Sequence, residues 1–267
     1  MALAGLITAS CGSDAPVTDP EFRSQIETAS LDQLPQTIAD KAEAVGVTGA
    51  AITMVEGGSD PVTFHIGRSA PGLQLQAASM SKAVAAAVIL TVAQQKGVGL
   101  DDDIRGQMPS TKPRLDMPED RPLTLRQLLS STSGASVHGF NGYAIGEELP
   151  STMEIVADPP GWFESAVNFD GAPGQFSYSG GGYMVAQLWA ENAAQEGFPS
   201  LAKRLILEPL AMNDSTFEQT SQASQAQRDA RVGADDDGLD NSWNNYPEHA
   251  AAGLWTTSED YAKFAMA

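Results

Sequence analysis

The sequence predicts an α+β fold. Two observations carry that expectation. Short β-prone runs cluster in the first quarter of the 267-residue chain, ahead of residue 70. Helical periodicity and long glycine-marked loops then fill the middle, and few strand-like runs follow. Of the residues, 42% are hydrophobic and 18% charged, which suits a chain that buries a core.

Taken in order, the first 13 residues read MALAGLITASCGS, an apolar run closing in small residues before Cys11. That pattern is similar to a bacterial lipoprotein signal, with Cys11 as the lipid attachment point. Residues 12–22 are polar with two prolines, as a tether would be. The expected organisation is a signal and tether over 1–22 and one domain over 23–267. Leu31, Leu34, Ile38 and Ala42 approach helical spacing and predict a helix over 31–45. Ala51–Val55 and Val62–Ile66 are β-prone, with Gly57-Gly58-Ser59-Asp60-Pro61 between them, and predict a hairpin. Residues 79–96 form an apolar helix closed by Lys96-Gly97. Thr124 with Gln127 three residues on is a capping box for a helix reaching Leu129. Gly134, Gly139 and Gly142 mark a long loop. Further helices are expected over 183–196, ending at Gly197, and over 200–208. From Thr220 to Asn245 the chain is rich in Gln, Asp and Asn and reads as an exposed excursion, with Val232-Gly233 a short pairing segment. Thr257 to Asp260 caps a last helix.

Charge and composition exclude several functions. The net charge of −19 argues against nucleic acid, which needs clustered Lys and Arg. No run of eighteen apolar residues is present to span a bilayer as a helix. A single cysteine excludes a disulfide framework, and His65, His138 and His249 show no metal-ligand spacing. No cofactor or metal is expected.

The chemistry gathers at Ala78-Ser79-Met80-Ser81-Lys82. On a helix, residues i and i+3 share a face, so Ser79 and Lys82 point the same way. A helix N-terminus leaves N–H groups that favour a developing oxyanion. A partly desolvated lysine is neutral more often and accepts a hydroxyl proton. Small residues from Ala77 to Ala87 let this helix lie buried. The S-x-x-K pattern alone is weak, because Ser200-Leu201-Ala202-Lys203 matches it too. There Ser200 follows Pro199 and reads as an N-cap, with Lys203 facing solvent. Downstream of Ser79, Phe176-Ser177-Tyr178-Ser179-Gly180-Gly181-Gly182-Tyr183 leads into a helix. A phenol there relays a proton if lysine charge lowers its pKa; the alternative is a glycine-rich helix start with packing aromatics.

Four ordered segments extend the pattern. They are Pro122–Leu129 followed by Ser131-Thr132-Ser133-Gly134, then Tyr178–Tyr183, Glu208–Phe217 and Ala251–Thr257. Together with S-x-x-K they resemble, in order, the segments of the serine β-lactamase and penicillin-binding-protein family, which includes class C β-lactamases, D-alanyl-D-alanine carboxypeptidases and related esterases. The resemblance implies a β-lactamase/transpeptidase-like antiparallel sheet flanked by helices, plus a mainly helical subdomain. It implies Ser79 as nucleophile, Lys82 and Tyr178 as its partners, and an acyl-enzyme formed on an ester, β-lactam or D-amino-acid peptide. It also implies a periplasmic or cell-envelope setting. Gly180 stands where penicillin-binding members carry a substrate-contacting Asn, and Ser131 replaces the usual His. Ser242-Trp243-Asn244 mimics the second motif from within the polar excursion. No K-T-G or H-x-G follows Tyr178, and His65-Ile66-Gly67 precedes the nucleophile, so it belongs to the hairpin. The chain stops at Ala267, and the expectation is a member lacking its C-terminal strands. The class rival is a catalytically inactive ligand-binding or sensor domain of the same fold. A Ser-His-Asp hydrolase of another fold is disfavoured, because no G-x-S-x-G occurs.

Overall fold

The computed structural model describes residues 3–7, 34–44, 47, 49–55, 61–110, 115–160, 165–219, 231–235, 238–240 and 243–267. Cys11, the tether, the turn at Gly57–Asp60, Ser242 and most of the 220–242 excursion lie outside the described residues. The chain divides into two compact units.

The first unit comprises 1–75, 224–243 and 256–267. Its sheet orders β1 (Leu3–Ile7), β2 (Gly49–Val55) and β3 (Val62–Gly67), all antiparallel. β2 pairs with β3 in a register that sets Ile52 opposite Phe64, so the expected hairpin forms. β2 is buried along nearly its whole length, which explains an apolar run broken only by Thr53. Leu3–Ile7 pairs residue for residue with Val55–Ala51. The apolar run read from sequence as part of a leader is therefore a sheet strand in this structure. Helix α1 (Leu34–Ala44) lies within the 31–45 span expected for it. Val232 in β6 (Arg231–Asp235) pairs in parallel with Leu75 of β4 (Gln74–Gln76), and β6 turns back on β7 (Gly238–Asp240). The final helix, here α8 (Ser258–Met266), has Thr257 as N-cap, its side chain accepting from the Asp260 N–H. Thr53 of β2 donates to Ser258 Oγ at 2.8 Å and ties α8 to the sheet.

The second unit comprises 76–223 and 244–255 and is mainly helical. Its central helix α2 (Ser81–Lys96) ends at Gly97, whose φ of 68° is the left-handed C-cap the sequence implied. Against it pack α5 (Gly180–Ala194) and the short α7 (His249–Ala252). α3 (Leu125–Leu129) opens with both hydrogen bonds of the Thr124/Gln127 capping box. α4 (Thr152–Ala157) has a second such box, Ser151 with Glu154. Thr124→Ala should lower stability by about 1 kcal/mol, because it orphans an N–H at a helix only five residues long. Thermal denaturation of that variant checks it.

Several helix boundaries differ from expectation. α5 begins at Gly180, three residues early, because Ser179 caps it by accepting from the Gly182 N–H. It ends at Ala194, with Gln195 taking the left-handed position, so Gly197 is left to begin the next helix. That helix, α6 (Phe198–Ala202), has Gly197 as N-cap, and Ser200 lies inside its first turn. Ser200 is therefore not the cap: Pro199 fits the first turn because it needs no N–H there. The helix then continues as a π-turn over Lys203–Leu207. β5 (Tyr143–Ala144) pairs with β8 (Asn244–Asn245), and Thr216 bridges Trp255.

Candidate active site

The second unit brings Ser79, Lys82 and Tyr178 together. Ser79 sits in a 3-10 turn, Ala78–Met80, one step before α2 proper. Ala78 has φ 44°, a left-handed conformation that costs a non-glycine residue about 1–2 kcal/mol. That strain lies directly before the candidate nucleophile, where strained backbone tends to concentrate. Ser79 is exposed, whereas Lys82 is 9% exposed. The apolar rows of α2 explain this placement. Val84, Ala85, Val88, Ile89 and Val92 bury one side and carry the Lys82 stem inward. The helix is not buried all round, since Ala83 and Leu90 face solvent.

Lys82 Nζ donates to Ser79 Oγ at 3.3 Å and to the Ala251 carbonyl at 2.7 Å. It lies 4.9 Å from the Tyr178 ring centroid and 5.7 Å from that of Tyr183. The Tyr178 side chain interacts electrostatically with both Lys82 and Ser79. Tyr183 turns its hydroxyl away, donating to the Leu129 carbonyl at 2.9 Å. Burial pushes the Lys82 amine below its ordinary 10.5, against the opposing interaction with Tyr178. Burial alone would raise the Tyr178 phenol. Its interactions with Lys82 and Ser79, the Lys82 charge included, outweigh that and leave it below its ordinary 10.0. Lys82 thus eases deprotonation of the Tyr178 phenol, whereas it is burial, working against Tyr178, that frees the lysine of its proton. The activity that depends on a neutral Lys82 should rise with pH through a midpoint below 10.5, because the amine loses its proton earlier than a free lysine. A pH–rate profile reads this, and Lys82→Arg should remove that rising limb.

The other expected site residues fall elsewhere. Gly180 is buried at the start of α5, and its N–H donates to the His138 carbonyl at 3.1 Å. A Cβ there would meet Phe140 Cε2 at 3.0 Å. Gly180 therefore packs against the 138–140 loop and offers a substrate neither a side chain nor a free N–H. Ser131 is buried, with φ 55°, and its carbonyl accepts from the Ser177 N–H at 2.8 Å, a structural role. Asn244 commits its side-chain amide to the Asn141 carbonyl at 2.9 Å. In the decoy, Lys203 has a 70% exposed side chain and reaches only Glu208, at 3.8 Å. Phe176 is 73% exposed, so it is not a packing aromatic.

Two neighbours escaped the sequence. The His138 ring lies 4.8 Å from the Tyr178 ring. The Ala251 carbonyl, 169 residues from Lys82, is its shortest hydrogen-bond acceptor. No local pattern marks His138, and the Ala251–Thr257 segment gives no sign by itself that the Ala251 carbonyl meets Lys82. Among the described residues, no group of three His, Cys, Asp or Glu is placed to hold a metal ion.

Residues 34–267 match the family model described as Beta-lactamase. The chain belongs to the Beta-lactamase family. Its fold is β-lactamase/transpeptidase-like. Among solved structures, a D-amino acid amidase from Ochrobactrum anthropi SV3, complexed with L-phenylalanine amide, has TM-score 0.68 at 23% identity, covering 88% of this chain and 69% of that one. A β-lactamase/D-alanine carboxypeptidase from Yersinia pestis, complexed with citrate, has TM-score 0.64 at 19% identity, covering 88% and 68%. A curated relative, Protein flp of Staphylococcus aureus (strain N315), is 24% identical over 204 residues. This Beta-lactamase-family chain spans 40% of the length of that relative, and the match covers 73% of this chain.

Proposed function

We propose that the chain is a serine hydrolase working through an acyl-enzyme on Ser79. The observation that carries this is the Lys82 amine 3.3 Å from Ser79 Oγ and 4.9 Å from the Tyr178 ring centroid. Ser79 Oγ attacks a carbonyl carbon, and its proton passes to Lys82 or Tyr178 as the C–O bond forms. The Ser79 N–H, at the start of its turn, is the expected oxyanion donor. The leaving amine or alkoxide departs with the proton returned from Tyr178. A water molecule then attacks the acyl carbon, gives its proton to the same pair and restores Ser79. The substrates proposed are small esters, β-lactams and D-amino-acid peptides. The family match and the amidase and carboxypeptidase among its structural relatives support small amides in particular.

The test is covalent capture. The chain is incubated with fluorescent penicillin, nitrophenyl esters and D-alanyl amides, then digested and mapped by mass spectrometry. An adduct on Ser79 followed by product release is expected. No adduct, or one on Ser200, would sink the proposal, and reversible binding without an adduct would mark a ligand-binding domain instead. We also propose a cell-envelope location through a lipid on Cys11, supported by the small residues preceding it. The N-terminus of the protein recovered from membranes decides this: a lipidated Cys11 supports it, and an intact β1 refutes it.

A further inference from the structure

We infer that Gln187 is the positioning residue that holds the Lys82 acceptor in register with the helix bearing Tyr178. This rests on the reading of Ser79, Lys82 and Tyr178 as the reacting groups.

The inference starts from α7. Four residues are too few for a helix to persist by itself, so its position is set from outside. On one side it meets the Ser79 turn. Lys82 donates to the Ala251 carbonyl at 2.7 Å. Just beyond α7, the Leu254 carbonyl accepts from the Ala77 N–H at 2.9 Å, and the Leu254 N–H donates to Ser81 Oγ at 3.0 Å. The segment 251–254 therefore grips residues on both sides of Ser79. On the other side it meets α5. Gln187 is fully buried there, and its Oε1 accepts from the Ala250 N–H at 2.8 Å. Its Nε2 donates to Thr152 Oγ1 at 3.0 Å and to Glu191 Oε1 at 3.1 Å. Glu191 Oε1 in turn accepts from the Phe198 N–H at 3.1 Å, which fixes the far end of the amide.

These bonds close a circuit. Tyr178 stands directly before the Ser179 cap of α5. From α5 the path runs through Gln187 to Ala250, then to the Ala251 carbonyl, Lys82 and Ser79. A buried amide with every polar atom engaged tolerates little displacement. Gln187 thereby fixes the distance between the two groups that share the Ser79 proton.

The test compares the full chain with Gln187→Met, Thr152→Val and a Gln187→Glu/Glu191→Gln swap. Met fills the space but cannot accept from Ala250. Thr152→Val removes a bond of the same amide without touching α7, and the swap restores an acceptor for Ala250. Lys82 reactivity is read by reductive methylation against pH and mass spectrometry, in parallel with melting temperature and kinetics. Lys82 faces Tyr178 and Tyr183, so both remain unchanged throughout the series. In Gln187→Met the freed α7 lets water reach the amine, and the labelling midpoint should rise by about one pH unit. Turnover should fall roughly ten- to a hundredfold with little change in KM. Thr152→Val should leave the midpoint in place, and the swap should bring it back. If Gln187→Met does not fold, Gln187→Asn, with its oxygen drawn back by one methylene, replaces it. An unshifted midpoint in the Gln187 variant, or an equal shift in Thr152→Val, overturns the inference. A shifted midpoint in a chain that hydrolyses nothing keeps the Gln187 assignment and defeats the hydrolase reading alone.

Discussion

Ser79→Ala should lower kcat/KM by about 10⁴-fold, Lys82→Met by about 10³-fold, and the double variant by no more than Ser79→Ala alone. Residues that act on one proton fail as a unit, so their losses do not add. The lysine has nothing to deprotonate once the hydroxyl is gone. The hydroxyl is a poor nucleophile without a base 3.3 Å away. The same lysine variant should hold or raise the melting temperature. Lys82 is only 9% exposed, so its amine sits where a charge is poorly solvated. Methionine fills a similar volume without that penalty, although the Ala251 carbonyl loses its donor. Steady-state kinetics and thermal melts on the three variants check both halves. Equal loss of stability and activity in Lys82→Met would instead make Lys82 a structural residue.

The features legible in the sequence are those with local causes. The hairpin follows from two β-prone runs around a glycine-rich turn. The end of α2 follows from Gly97, because only a residue tolerant of φ 68° closes that helix cheaply. The Thr124 box is legible because all its partners lie within four residues. What stayed hidden depends on contacts between distant segments. The glycines of α5 fell before the helix expected over 183–196, since glycine disfavours helix by about 1 kcal/mol. Burial reverses that preference: a Cβ on Gly181 would lie 2.5 Å from the Ser136 carbonyl, so the close approach demands glycine inside a helix. Ser200 read as a cap because Pro199 precedes it, yet Gly197 holds the cap position two residues before the proline. Gln187 carried no signal at all. Its role exists only because α5 and α7 meet.

Gly134→Ala should be the most destabilising of the single substitutions considered, costing about 4 kcal/mol and lowering the melting temperature by roughly 10 °C. Two causes add. Gly134 has φ 76°, which alone strains an alanine. The new Cβ would also fall 2.3 Å from the Gly171 carbonyl oxygen, and backbone on both sides leaves no flexible side chain to yield. The Gly171 N–H donates to the Gly134 carbonyl at 3.0 Å, so the two segments cannot part without losing that bond. Neighbouring bonds would be drawn in: Ser136 N–H to the Asn168 carbonyl at 2.8 Å, Gly174 N–H to the Thr132 carbonyl at 2.8 Å, and Ser177 N–H to the Ser131 carbonyl at 2.8 Å. These bonds lay the segment ending in Tyr178 along the 131–138 loop. Displacing it should therefore lower turnover in the protein that still folds. Gly139→Ala is the control from the same loop, because a Cβ there meets nothing within 4 Å. It should change stability by no more than about 0.5 kcal/mol. If the two variants melt together, the close approach of Gly134 to Gly171 does not hold the loop that positions Tyr178.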